Sequence, residues 1–292
     1  IKNGKCALLA DNNAQIPTTT SYNDEQYTVV ALDPFSFSFI TEIIELSLPE
    51  GIQNIERGTF LGSSGFIGDL TLPNSITTIG DYAFVGTGFT GSLTLSSSLR
   101  QIGNNAFQSV QFTGTLKIPR TVESIGNYAF ASCSKFDGNL VFEGASESSP
   151  SPSSFQSIGI NSFYSCSRFI GDIILPDSIS TIHENAFSGC LGFNGVLHLP
   201  NNLKIIENAA FTRCRNLQGD LRIPDGVVSI GTNAFSSCGF NGTLTIPNSV
   251  TTLGEGSFMS CSSLKGDLII PEQITELPNQ VFSGIGCDGL LK

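Results

Sequence analysis

The feature that most constrains this chain is a phenylalanine that returns at an almost fixed interval. It stands at Phe37, Phe60, Phe84, Phe107, Phe130, Phe163, Phe187, Phe211, Phe235, Phe258 and Phe282, with gaps of 23 or 24 residues and a single gap of 33. Fixed self-similarity at this period is the mark of a solenoid, in which each coil is one supersecondary unit stacked on the next. One rung of about 24 residues cannot offset the conformational entropy of ordering itself with the few apolar side chains it owns. Stacked rungs bury both faces on their neighbours, so the array is expected to fold only as a whole.

Each slot of the rung has a physical reading. Leu70-Thr71-Leu72 alternates apolar and polar at period two, which predicts a short strand with both leucines inward and the threonine outward. The pattern recurs at Leu93/Leu95, Leu116/Ile118, Ile173/Leu175, Leu197/Leu199, Leu221/Ile223, Leu244/Ile246 and Leu268/Ile270. A proline follows most of these strands, as at Pro73, Pro176, Pro200 and Pro224, and ends the ladder because it lacks an amide donor. Ile76 and Ile79 supply a second inward pair, and Ala83-Phe84 a tight coil. A glycine opens each strand nine times from Gly68 to Gly266, a slot expected to need positive φ or close backbone approach.

The best-formed unit, GTLTIPNSVTTLGEGSFMSCSSLK at 242–265, resembles the BspA-like, treponemal type of leucine-rich repeat over about residues 29–291. One departure is the four steps from Leu264 to Leu268 where the usual unit has three, with Gly266 inserted. The resemblance implies an α/β fold class: a right-handed leucine-rich-repeat solenoid of mostly short parallel strands with short 3-10 or irregular turns and little helix. It further implies cell-surface or extracellular localisation and an adhesion or protein-binding role, with a host or extracellular protein or glycan as partner. Residues 1–28 are polar and out of phase, and are expected to cap a solenoid of about eleven rungs at 29–292. Gly289 and Leu291 fit the opening slots of a further rung, so the intact protein is expected to continue. The gap of 33 comes from a Ser/Pro-rich insertion at 143–157, read as a protruding surface loop.

Six cysteines, Cys133, Cys166, Cys190, Cys214, Cys238 and Cys261, sit three residues after the ladder phenylalanine and are read as a column of buried thiols. Earlier rungs hold Ser63, Thr87 and Val110 in that slot, which a required disulfide would not tolerate. Cys287 falls in an aromatic slot, and Cys6 has no repeat position.

The outward strand residues carry the candidate binding surface. Lys117, Val141, Ile174, His198, Arg222 and Ile269 occupy one column, and Asp172 and Asp220 the column before it. Val141, Ile174, Ile269 and, in the preceding column, Val196 are apolar where exposure favours threonine or charge, so this face is the expected protein-binding epitope. A formal charge of −11 disfavours nucleic acid and anionic lipid as partners, and no apolar run reaches a membrane span. No nucleophile elbow, phosphate loop, dinucleotide fingerprint or CxxC is present, and His183 reads as a turn residue. The expectation is a non-enzymatic module without cofactor or metal. The alternatives are a spacer without a ligand of its own, or a parallel β-helix enzyme acting on polysaccharide.

Overall fold

The computed structural model describes residues 13–22, 24–42, 45–145 and 155–289. Each rung has three sides: a short strand, a second short strand after a turn, and a tight coil around the ladder phenylalanine. The first strands, such as Leu70–Thr71, Leu116–Ile118, Ile173–Ile174 and Leu221–Arg222, lie where the period-two pattern places them, inward leucines buried and intervening side chains turned out. All inter-rung strand pairs are parallel, and the chain belongs to the leucine-rich-repeat solenoid architecture with no helix, 3-10 or otherwise, among the described residues.

A second parallel sheet was not anticipated. It is built from the residues before the glycine that precedes the coil: Thr78–Ile79, Gln101–Ile102, Ser124–Ile125 and their equivalents. Six such strands run without a break from Ala31–Leu32 to Ser157–Ile158, and four more from Thr181–Ile182 to Thr252–Leu253. Two residues per strand are too few for alternation to show in the sequence; only the inward isoleucine was visible.

The coil explains why no 3-10 turn forms. In all eleven rungs the residues two before and two after the ladder phenylalanine have positive φ, as at Asn185 (53°) and Gly189 (76°) around Phe187. This places alternate peptide groups along the solenoid axis. The N–H groups of Asn185, Phe187 and Gly189 donate to the carbonyls of Asn208, Ala210 and Thr212 on the next rung, at 2.8 to 3.0 Å. The intervening amides close local turns, Ala186 to His183 and Ser188 to Asn185. Inside this frame the eleven rings stack nearly parallel with centroids 5.0 to 5.7 Å apart. A second stack, Phe66, Phe89, Phe112, Phe136, Phe169 and Phe193, runs beside it at 5.2 to 6.2 Å.

The strand-opening glycines divide into two kinds that alternate rung by rung. Gly219 has φ +76°, while Gly242 on the next rung does not but presses against Asp220 and Gly219, so that a Cβ would collide with their backbone. Side chains lock each such doublet: Gly219 N–H donates to Asn241 Oδ1 at 2.8 Å, and Thr243 N–H to Asp220 Oδ1 at 2.8 Å. Gly171 with Asn194, and Val196 with Asp172, repeat the arrangement. The inserted Gly266 noted in the sequence is one of the positive-φ members of this series, at +79°. The first sheet accordingly pairs in twos, Ile173–Ile174 with Leu197–His198 and Leu221–Arg222 with Leu244–Thr245.

At the insertion, Phe142 and Phe155 take the two aliphatic slots on either side of the turn, both buried and packed edge to face at 5.5 Å. Ser157–Ile158 then pairs in register with Ser124–Ile125, so the extra residues leave the frame unshifted. Residues 146–154, the heart of the expected loop, lie outside the described residues, as do Cys6 and Leu291. In the segment expected to cap the array, Asn13–Gln15 pairs in parallel with Glu45–Ser47 and Ile16 is buried, whereas the hairpin of Thr19–Tyr22 and Glu25–Thr28 is exposed where it is described.

The six slot cysteines are buried with free thiols, each Sγ–H donating to the carbonyl of the preceding rung's ladder phenylalanine, from Cys133 to Phe107 (3.0 Å) through Cys261 to Phe235 (3.1 Å). Ser63 makes the same bond to Phe37. Burial pushes Cys133, Cys190 and Cys238 well above the usual thiol range, and Cys261 to about 11. Native protein should therefore react slowly with thiol reagents at these six positions, with the half-buried Cys287 labelled sooner. Mass analysis that finds bonds between successive slot cysteines would contradict this. Phe187 is fully buried between Phe163 and Phe211, and Phe187→Ala should destabilise the array by about 3 to 5 kcal/mol in denaturant titrations through lost contacts and a cavity.

Candidate functional site

Three consecutive rungs build an open groove of about 590 Å³ on the outer side of the first sheet. Its floor is the outward strand column: Ile174 pairs in register with His198, and Arg222 follows on the next rung. Strands in register stand about 4.8 Å apart, so these three side chains fit within the span of a single bound segment. Val196 and Asp220 line the same space from the preceding column.

Of the residues singled out in the sequence, the groove gathers Ile174, Val196, His198, Asp220 and Arg222. Lys117 and Val141 pair with each other on two rungs to the N-terminal side. Ile269 is 58% exposed but lies two rungs beyond Arg222, with Thr245 between. Asp172 sits beside the groove, its carboxylate engaged by the Val196 N–H at 2.7 Å. His183 does sit in the slot that is usually glycine, but its Nδ1 lies 3.3 Å from Glu207 on the next rung.

Asp177, Asn201 and Pro224 complete the rim and were not singled out. They belong to the turn after the strand, and the only signal was the polar residue following the strand-ending proline, as in Pro176-Asp177 and Pro200-Asn201. Asp177 accepts the Asn201 N–H at 2.8 Å, so the rim is fixed by the same kind of inter-rung bond that locks the doublets.

The electrostatic centre is Asp220. One oxygen accepts the N–H and hydroxyl of Thr243, and the other holds an Arg222 guanidinium nitrogen at 2.9 Å. These contacts, the Thr243 amide foremost, lower its pKa from the usual value to about 2. Arg222 is 80% exposed, with one guanidinium nitrogen on Asp220 and its other donors turned to solvent. Apolar Ile174 and Val196 on one side and a clamped arginine on the other suit a ligand with an apolar part and an adjacent acceptor. No cluster of three or more metal-ligating side chains converges among the described residues.

Comparison with known proteins places the fold. A family model described as BspA type leucine rich repeat region matches in six copies across residues 30–142, 138–218 and 194–290. A leucine-rich repeat protein from Bacteroides ovatus ATCC 8483 superposes with a TM-score of 0.64 at 25% identity, over 97% of this chain and 69% of that one. A leucine rich cell surface protein from Faecalibacterium prausnitzii A2-165 superposes with a TM-score of 0.52 at 19% identity, over 96% of this chain and 87% of that one. The search of curated proteins returned no match.

The Asp220 contacts carry a pH signature. Its folded pKa lies below its unfolded value, so the stability it contributes is present above that unfolded value and is lost as pH falls through about 2. Asp220→Asn keeps an acceptor for Thr243 but removes the titration. Melting curves recorded from about pH 5 down to pH 2 should fall less steeply for the variant than for the wild type. Parallel curves would show that the Asp220 bonds add nothing in solution.

Proposed function

We propose that this chain, which belongs to the BspA-type leucine-rich repeat family, is a non-enzymatic, surface-displayed module that binds an extracellular protein through the groove of its first sheet. The observation that carries the reading is the clamped Arg222 beside Ile174, Val196 and His198 on successive rungs. Arginine is among the residues that most often centre binding energy in protein interfaces. Surface display rests on family resemblance, the Faecalibacterium relative being described as a cell surface protein. No helix among the described residues is long and apolar enough to cross a membrane.

The closest competing reading is a spacer that holds other parts of a longer protein away from the cell and has no ligand of its own. The polar rungs favour neither reading, because their carboxylates and amides are largely committed to inter-rung bonds. The groove favours the first, since it gathers Ile174, His198 and Arg222 on successive rungs, an arrangement for which a spacer has no use.

The test uses the chain immobilised against a panel of purified extracellular-matrix and serum proteins by surface plasmon resonance. Against any protein that binds, Arg222→Ala should weaken affinity by about thirty-fold, the size of a typical hot-spot loss, and Ile174→Ser should also weaken it. Deletion of residues 146–153 should matter less. The opposite ranking would move the site to the insertion, and no binder in the panel would favour the spacer.

A further inference from the structure

The coil side of the solenoid carries a second feature, independent of the groove. The slot two residues before the ladder phenylalanine has positive φ in every rung, and in the later rungs it holds Asn161, Asn185, Ala209, Asn233, Gly256 and Gln280, none of them aromatic. In the first five rungs it reads Phe35, Gly58, Tyr82, Asn105, Tyr128, so that a bulky aromatic stands at rungs one, three and five. A left-handed backbone is disfavoured for a large side chain, and burial does not compensate here, because the three rings are 46%, 36% and 41% exposed. The same backbone accepts asparagine elsewhere in the chain, so the fold does not require these rings.

Their setting is regular. The Phe35 ring lies over Gly58, where any Cβ would collide with it, and the Arg57 guanidinium lies over one face of the Tyr82 ring, 5.5 Å from its centre, so a ligand would meet that ring on its other face or edge. Asn105, on the rung between the two tyrosines, is bonded to Gln108 at 2.8 Å. Rungs about 4.8 Å apart put aromatics on alternate rungs at roughly 10 Å intervals along a straight line. Two sugars of an extended β-1,4-linked chain span the same interval, and aromatic rings with amide and guanidinium neighbours are the chemistry that takes up pyranose faces and their hydroxyls. The net charge of −11 argues against an acidic glycan and for a neutral one.

We infer that Phe35, Tyr82 and Tyr128 form a platform for an extended, neutral, β-1,4-linked polysaccharide. This site lies on a different side of the rung from the groove and stands whether or not the groove binds protein.

The experiment measures depletion of the purified chain from solution by microcrystalline cellulose and by chitin powder, with granular starch as the α-linked control. The wild type should bind at least one β-linked polymer and not starch. Tyr82→Asn/Tyr128→Asn, which installs the residue that the slot carries in other rungs, should bind about ten-fold more weakly or worse without a lower Tm. Tyr82→Phe/Tyr128→Phe, which keeps the rings, should bind as the wild type does. Failure of the wild type to bind either β-linked polymer, equal binding to starch, undiminished binding by the asparagine variant, or loss of binding in the phenylalanine variant would each overturn the proposal.

Discussion

The axial hydrogen bonds of the coil are the constraint from which the rest of the rung follows. Three N–H groups per rung, those at and two positions either side of the ladder phenylalanine, point along the axis to carbonyls of the next rung. They hold neighbouring backbones at a separation that is also the contact distance of stacked aromatic rings, 5.0 Å between Phe84 and Phe107. The two requirements reinforce each other. A ring of different thickness would strain the hydrogen bonds, and a different backbone spacing would part the rings. The cost is paired left-handed residues in every coil, which is why Gly, Ser and Asn crowd these positions.

Close axial packing then dictates much of the surface. Backbone amides at the turns and strand entrances cannot all find carbonyls, and the chain satisfies them with side chains from an adjacent rung. Asn104 accepts the Asn127 N–H, Asn127 that of Ile160, and Asn208 that of Thr232. Asp69, Asp172 and Asp220 do the same at the strand entrance. A reader of the sequence sees an acidic, amide-rich surface and suspects ligand chemistry; most of it is scaffolding, in accord with the rule that buried or crowded amides find partners. Asp220 differs because its second oxygen is turned outward to Arg222.

How much of this was legible depended on the length of the pattern. The ladder phenylalanines, the first strands and the thiol column repeat often enough, with enough apolar side chains, that the sequence alone places them inside. The second sheet was hidden because Thr78–Ile79 and its equivalents offer a single inward residue each. The alternation of glycine types was hidden because both kinds are written with the same letter; only the partners Asn194, Asn241 and Asp288 on every second rung betray it. At the candidate site the outward strand residues could be named from period two, but Asp177 and Asn201 come from a turn, where the sequence gives no direction for a side chain.

A repeat array also supplies its own comparison set. Residues in one slot share a backbone, a set of axial bonds and a buried neighbourhood, so differences between them on the exposed side are not demanded by the fold. In the outward strand column, Thr71, Thr94 and Thr245 show what solvent and a parallel sheet ask for. Lys117, Val141, Ile174, His198 and Arg222 depart from it on five successive rungs. The last three of them line the groove, and after Thr245 the column departs again at the exposed Ile269. The inward packing does not choose these outward side chains, which leaves the groove rungs free to answer to whatever the face meets.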